Sequence, residues 1–314
     1  MPHKLFVMIP AFGRPQLLGR TLKSLAQCEL PESYRGTLVI ENGRKCGLDE
    51  VVRRADPRLR ARYLYCAHPG RSAALNVGLE HAGNCLAYMT DDDIRFSPGV
   101  LCAYEQAARG IEGGCIFGGP LGIDYEAEPP EWLKAYLPRS AVGWRLEGEL
   151  EPDESPIFLG ANWAAFAGDL REAGGFNPDR GTGARTGATG QETDMHARLY
   201  DRGSRPVYVP DAMVWHYVPA SRCSARWALD RMYRNGIGSG LDRVDHSSAL
   251  FGYPRWMIRE WLLKGLRTAL AWICPDRLTR FQRRREFAHY SGLMTGRRLA
   301  RKRHLDQNQQ RQTA

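Results

Sequence analysis

The amino-acid sequence predicts an α/β fold, a mixed and mainly parallel sheet with flanking helices, followed by a basic helical C-terminal extension. Strand-like apolar runs alternate with helical patterns, polar clusters follow the strand ends, and positive charge gathers near the carboxyl terminus. The chain has 314 residues, of which 43% are hydrophobic and 25% charged. This composition is that of a globular protein with a sizeable core and argues against disorder or a disulfide scaffold.

The first third of the chain alternates between strand and helix patterns. The predicted elements are a strand at 5–12, a helix at 15–27, a strand at 37–40, a helix at 72–82 and a strand at 85–89. The first helix has leucines at helical spacing and a proline near its start. Strands joined by helices pair in parallel, so their carboxyl ends meet at one edge of the sheet, where ligands bind.

Three polar clusters follow predicted strand ends: Pro10 to Arg14, Glu41-Asn42 and Asp91-Asp92-Asp93. Three adjacent carboxylates repel one another unless a cation or hydrogen-bond donors neutralise them. Divalent cations such as Mg²⁺ prefer such oxygen ligands. The alternative is a solvated acidic turn that caps the next segment.

Two later segments predict loops. Residues 118–160 are rich in Pro, Gly and acids, and we expect loops with short elements there. Residues 181–190 contain four glycines and predict either a surface loop or a mobile flap over a site.

The charge is unevenly distributed. The whole chain carries +9, whereas residues 243–314 hold 16 bases and five acids, a net +11, which leaves the rest at −2. Such a tail can bind anionic lipid, nucleic acid or an acidic partner. The eight cysteines lack Cys-x-x-Cys spacing, and we find neither a secretory signal nor a spanning segment, so we expect a cytoplasmic protein with reduced thiols.

An ordered series of motifs along residues 5–218 resembles family 2 glycosyltransferases. The matching segments are 10–15 (PAFGRP), 39–43 (VIENG), 71–79 (RSAALNVGL), 88–93 (YMTDDD), 158–162 (FLGAN), 174–176 (GGF), 190–194 (GQETD) and 214–216 (VWH). The resemblance implies a GT-A fold, a nucleotide-diphosphate sugar donor, with a UDP-sugar favoured, a divalent metal (Mg or Mn) and inversion at the anomeric carbon.

The resemblance also implies ligands for the donor and the metal. The expected donor-binding residues are Pro10, Ala11, Arg14, Glu41, Arg71, Asn76, Asp91 and Asp92, and the expected metal ligands are Asp91, Asp93 and His216. Glu41 would accept the N3–H of a uracil or thymine base, or it is a turn-initiating acid. Arg14 and Arg71 would pair with phosphates, or they form ordinary ion pairs. His216 is a metal ligand or a partly buried histidine after a strand.

Inverting transfer needs a carboxylate that takes the proton of the acceptor hydroxyl. By resemblance we assign this role to Glu192 and keep Asp194 as the second candidate. Glu192 is otherwise a helix N-terminal acid stabilised by the helix dipole, and Asp194 is otherwise an ion-pair partner of Arg198. Asn162 and Trp163 are expected at the sugar or acceptor, with core packing the alternative for Trp163.

We divide the chain into a glycosyltransferase domain at 1–242, with a nucleotide-binding part at about 1–117 and an acceptor part at about 118–242, and a basic amphipathic tail at 243–314. Within the tail, 255–273 predicts a helix with an apolar face formed by Ile258, Trp261, Leu262, Leu266, Ala269 and Ile273. This pattern favours a helix lying on an anionic membrane surface, and the alternative is packing on the domain. We expect residues 304–314 to be disordered.

Together these features predict a metal-dependent inverting glycosyltransferase. It would act at the cytoplasmic membrane face, on a glycan or lipid-linked acceptor in cell-surface polysaccharide synthesis. Two other classes stay open: a catalytically inactive nucleotide-sugar-binding protein of the same fold, and a nucleic-acid-associated protein that uses the basic tail.

Overall fold

The structure is a computed structural model that describes residues 3–148, 150–151, 154–242 and 253–313. It comprises two compact units. The first consists of Met1–Ala127, Pro138–Gly183 and Gln191–Pro219, and the second of Glu128–Leu137, Ala184–Gly190 and Ala220–Ala314. The domain boundary after residue 242 stays a prediction, and the C-terminal segment of the second compact unit begins at Ala220.

The first unit contains all ten strands of the described chain. They are β1 (Leu5–Ala11), β2 (Tyr34–Asn42), β3 (Arg62–Cys66), β4 (Leu86–Thr90), β5 (Ile94–Phe96), β6 (Cys115–Gly118), β7 (Leu121–Tyr125), β8 (Asn162–Phe166), β9 (Arg205–Tyr208) and β10 (Val214–Val218). Its helices are α1 (Pro15–Leu25), α2 (Leu48–Arg53), α3 (Arg71–Ala82), α4 (Val100–Ala107), α6 (Arg139–Val142), α7 (Ala167–Glu172) and α8 (Gln191–Asp201). The second unit contains the helices α5 (Glu131–Lys134), α9 (Ala225–Leu241), α10 (Arg255–Leu270) and α11 (Arg277–Thr313). A short 3₁₀ helix lies in the first unit at Pro57–Leu59, and two more lie in the second unit at Ala220–Arg222 and Ala271–Ile273.

A seven-stranded sheet has the order β3-β2-β1-β4-β8-β6-β9. Only β8 runs antiparallel to its neighbours, so the mixed and mainly parallel sheet predicted from the sequence is confirmed. Apolar side chains of β1, β2, β4 and β8 form the core on both sheet faces, because helices cover each face. The helix α1 begins with Pro15 in its first turn and buries Leu18, Leu22 and Leu25 against this core.

A second, three-stranded sheet has the order β5-β10-β7. The strand β5 follows the Asp91-Asp92-Asp93 cluster directly and pairs antiparallel with β10, with Ile94 opposite His216. This register brings a residue from late in the chain beside the acid cluster. The backbone N–H of Tyr217 donates to the carbonyl of Asp93 at 2.9 Å and fixes the approach.

The second unit is built on two helices that touch through glycines. Four glycines, two on each helix with four-residue spacing, line the contact between α9 and α11: Gly236, Gly240, Gly292 and Gly296. A Cβ at any of them would lie 1.9–2.2 Å from a backbone carbonyl oxygen of the facing helix. No local sequence pattern predicted this contact. The disorder predicted for 304–314 is wrong, because α11 continues to Thr313, and Ala314 lies outside the described residues.

Candidate active site

The adjacent parallel strands β1, β2 and β4 end at the same edge of the main sheet, and the three predicted polar clusters follow them. Pro10 and Ala11 are buried at the end of β1, and the Ala11 carbonyl accepts from the Asn42 side chain at 3.0 Å. Arg14 follows and precedes α1. The expectation that the polar clusters share one edge is met.

Two arginines neutralise the acid cluster. Arg14 forms an ion pair with Asp92 and donates to Asp93 at 2.6 Å. Arg71, at the start of α3, pairs with Asp91 and donates to the Gly160 carbonyl at 2.6 Å. Three carboxylates thus face two guanidinium groups, and the arginines that we expected at phosphates are held by the carboxylates in this structure.

His216 completes a group of metal-ligand type. Its Nε2 lies 3.3 Å from Asp93 Oδ1, and its Nδ1 lies 2.6 Å from the Ser140 carbonyl oxygen. A carbonyl only accepts, so Nδ1 carries the proton and a neutral ring keeps its Nε2 lone pair for a cation. Ligand atoms of Asp91, Asp93 and His216 all lie within 4.8 Å of one another.

The donor set fits a hard divalent cation. The two carboxylates are ligands of the kind that Mg²⁺ and Mn²⁺ prefer, and the imidazole adds a nitrogen ligand. Asp92 is almost fully buried, and one of its carboxylate oxygens has no hydrogen-bond partner among the described residues. Burial raises the pKa of Asp92, and the negative charge of Asp93 adds to this, while Arg14 opposes it. The site therefore contains a buried carboxylate oxygen, on Asp92, that no described donor satisfies.

Glu41 is fully buried at the end of β2. One carboxylate oxygen accepts from the Cys46 backbone N–H at 2.5 Å, and the other accepts from the Tyr63 hydroxyl at 2.7 Å. Burial and this hydrogen bond raise the pKa of Tyr63, so the phenol stays a donor. The carboxylate that we expected at the nucleobase is occupied as a structural acceptor.

The helices α3 and α8 begin beside each other. The Ser72 hydroxyl lies 3.2 Å from the Gln191 side-chain oxygen and 2.6 Å from the Arg180 carbonyl oxygen. Because Ser72 adjoins Arg71, this contact links the start of α8 to the acid cluster. Asn76, expected at the donor, instead brackets the backbone of Phe176 with two hydrogen bonds of 2.7 and 2.8 Å.

The two candidate bases have different surroundings. Asp194 pairs with Arg198 at 2.7 Å and with Arg180 at 3.4 Å. Glu192 is half-buried, and no described residue bonds to its carboxylate. The ion pair that we gave as the alternative role of Asp194 is present. Of the two candidates, only Asp194 is neutralised by ion pairs with described residues.

Asn162 and Trp163 lie in the interior and not at a ligand surface. The Asn162 amide is fully buried and donates to the Pro120 and Ala212 carbonyls at 2.9 and 2.7 Å. Trp163 is fully buried and makes an edge contact with His196, with ring centroids 4.4 Å apart. The expectation of sugar contacts is corrected for both: β8 is a central strand, covered on both faces.

The glycine-rich segment 181–190 also differs from expectation. Within the second unit, four of its side chains are buried: Ala184, Thr186, Ala188 and Thr189. The Thr189 hydroxyl donates to the Asn235 side chain on α9 at 2.7 Å. A surface loop is therefore the wrong description.

Sequence reasoning missed two contributors to this edge of the sheet. Ser140 orients His216 through a backbone carbonyl, which no side-chain pattern reveals. Phe12 is 51% exposed, and its ring lies close to Gly43, where a Cβ would be 3.7 Å from the ring. The available signal in the sequence was an aromatic residue at the end of a predicted strand.

A GT-A-type sheet with an Asp–Asp–His group at its carboxyl edge defines the class of protein, a glycosyltransferase. The model of the glycosyl transferase family 2 matches residues 6–173, and the chain belongs to this family. No curated protein matches the chain by sequence.

Several solved structures have a similar fold. A mannosyltransferase, PcManGT from Pyrobaculum calidifontis, in complex with GDP-Man and Mn²⁺, is similar at 16% identity with a TM-score of 0.57, covering 96% of this chain and 87% of that one. TarS of S. aureus is similar at 12% identity with a TM-score of 0.52, covering 95% and 55%. GalNAc-T7 with UDP, GalNAc and Mn²⁺ is similar at 12% identity with a TM-score of 0.51, covering 87% and 58%.

Among the described helices, none has both the length and the apolar character needed to span a bilayer.

Proposed function

We propose that this glycosyltransferase is metal-dependent and inverting, and that it moves a sugar from a nucleotide-diphosphate donor to a glycan or lipid-linked acceptor in cell-surface polysaccharide synthesis, at the cytoplasmic face of a membrane. The observation that carries the proposal is the Asp91–Asp93–His216 group, in which Asp93 and His216 are buried, beside the arginines Arg14 and Arg71. Anionic and cationic side chains alternate there, which suits a cation together with a diphosphate.

Asp91, Asp93 and His216 would hold Mg²⁺ or Mn²⁺ in this proposal. A bound cation would neutralise the charge that develops on the leaving diphosphate. Arg14 and Arg71 now neutralise the carboxylates. In the proposed complex both guanidinium groups would instead pair with phosphate oxygens of the donor, since a guanidinium binds phosphate through two parallel hydrogen bonds. The site would thus bind metal and donor together.

The nucleoside would lie over the ends of β1 and β2. The exposed ring of Phe12 offers a flat apolar face on which a base can stack. A UDP-sugar is the donor that Glu41 favours by position. Because that carboxylate now accepts from Cys46 and Tyr63, a direct contact with a uracil requires one of these bonds to be exchanged. Calorimetry with a panel of nucleotide diphosphates identifies the base.

Glu192 would act as the base. Its carboxylate takes the proton of the acceptor hydroxyl as the hydroxyl oxygen attacks the anomeric carbon, and the diphosphate leaves from the opposite face. A half-buried carboxylate with no bonded partner is ready to accept that proton, whereas Asp194 is neutralised by two arginines. Asp194 would hold the helix start in place through Arg198 and Arg180.

The test is sugar-nucleotide turnover with Mn²⁺ by Glu192→Gln and by its matched control Asp194→Asn. Loss of a general base lowers the rate by about 10²–10⁴-fold, so we expect this loss in E192Q, with nucleotide-diphosphate binding retained. D194N weakens the ion pairs with Arg180 and Arg198 but keeps the base, so it should lose much less turnover than E192Q. Unchanged turnover in E192Q would reject the base assignment. If the wild-type protein binds the nucleotide but turns over no sugar nucleotide in the panel, it is the catalytically inactive protein.

A further inference from the structure

The second unit exposes a continuous apolar surface on α10 and the 3₁₀ turn that follows it. Three leucines on one side of the helix are each more than half exposed, and Ile273 is 86% exposed. The members of this surface, here the α10 face, are Leu262, Leu266, Leu270, Trp272 and Ile273. Monomeric proteins seldom leave such a patch in water unless it binds something.

Only part of the apolar face that the sequence predicts for α10 packs against another helix. Trp261 packs on Phe287 of α11, with ring centroids 5.6 Å apart, and donates to the Ser291 hydroxyl at 3.0 Å. Thr268 bonds to the Arg283 carbonyl at 3.1 Å on the same side. Contact with α11 therefore covers the Trp261 side of the helix, and the α10 face is the side that stays more than half exposed.

The charged residues around the α10 face indicate which kind of partner it binds. Residues 254–285 carry nine Lys or Arg and two acids, a net +7. Arg255 and Arg259 are exposed on α10 before Leu262, and Arg277 and Arg284 are exposed after Ile273. The Arg284 guanidinium lies 5.9 Å from the ring centroid of Trp272 and so brings positive charge to the edge of the apolar surface.

We infer that the α10 face docks onto an anionic lipid bilayer, with α10 lying in the headgroup plane and its leucines below it. An apolar underside with tryptophan and cationic residues at its borders is the pattern of an interfacial helix. A second copy of the chain fits poorly, because a symmetric contact would place two strongly positive segments against each other. The inference rests on the proposed location at a membrane and names the surface responsible.

Sedimentation of the full chain with vesicles tests the inference. The wild-type protein should bind phosphatidylglycerol-containing vesicles, bind less in high salt, and bind pure phosphatidylcholine weakly. L262E/L266E should lose roughly 30-fold or more in binding, since two half-exposed leucines no longer enter the lipid. R255Q/R259Q should lose roughly 30-fold on anionic vesicles only. Q27E/Q106E, with the same charge change as the leucine variant at exposed sites of the first unit, should bind like the wild type.

The inference is overturned if L262E/L266E binds anionic vesicles as strongly as the wild-type protein, or if the wild-type protein does not bind them. It is also overturned by a dimer in analytical ultracentrifugation that L262E/L266E dissociates without any vesicle binding. Nucleotide-diphosphate binding is measured by calorimetry on the same preparations. If the protein binds the nucleotide diphosphate but no vesicles, only the inference about the α10 face is overturned. If it binds vesicles but no nucleotide diphosphate, only the proposed transferase function is overturned.

Discussion

Replacing Gly292 by alanine should destabilise the protein, although alanine is the better helix former by about 1 kcal/mol. The new Cβ would lie 1.9 Å from the Tyr233 carbonyl oxygen on the facing helix. Carbon and oxygen approach to about 3.3 Å, so the helices α9 and α11 must separate by about 1.4 Å. Overpacking costs about 1–3 kcal/mol, and a helix separation of this size belongs to the upper part of that range, about 2–3 kcal/mol. Subtracting the gain in propensity leaves a net loss of about 1–2 kcal/mol.

Gly19 supplies the matched control, because it also lies inside a helix but has room. Its Cβ would be 3.8 Å from a Val51 methyl group, an ordinary van der Waals contact. Gly19→Ala should therefore stabilise by about 0.5–1 kcal/mol. Urea unfolding followed by circular dichroism measures both variants. If G292A proves as stable as the wild type or more stable, the close contact through glycine backbones is refuted.

Two further predictions concern the site and the core. Asp93→Asn should weaken Mn²⁺ binding by more than about 100-fold in calorimetry, because it removes a charged ligand beside His216; affinity equal to that of the wild type would contradict the metal assignment. Burial lowers the pKa of His196 to about 3, so below pH 6.5 the unfolded chain binds more protons than the folded one. The free energy of unfolding should therefore decrease by about 2 kcal/mol as the pH is lowered from 6.5 to 5. His196→Leu should remove this loss in urea unfolding, and the exposed-site control His81→Gln should keep it.

Local sequence patterns were sufficient for three of the seven strands of the main sheet and for the acid cluster that follows one of them. The strands β1, β2 and β4 are runs of buried apolar residues, and periodicity alone locates them. The acids at 91–93 follow the third of these runs, and parallel pairing places them at the ligand edge. The order of short motifs identified the family, which the family model confirms over residues 6–173.

Side-chain roles within those motifs were less predictable. Asn76 and Glu41 occupy motif positions, yet their polar atoms bond to protein backbone or to Tyr63. Trp163 follows a motif asparagine but fills the core. A polar or aromatic residue at a given position has the same sequence signal whether a ligand or the protein satisfies it, because partners come from distant segments.

The sequence by itself determined the sheet class, the family, the acid cluster and the basic amphipathic tail, since each follows from local periodicity, composition or motif order. Only the tertiary structure decided which partners these features meet. The pairing of β10 with β5 brought His216 to Asp93, Arg198 and Arg180 engaged Asp194 and left Glu192 open, and α11 covered one side of α10 while the other stayed exposed. Periodicity specifies that a surface is apolar or charged, but what covers it depends on residues far along the chain that folding brings into contact.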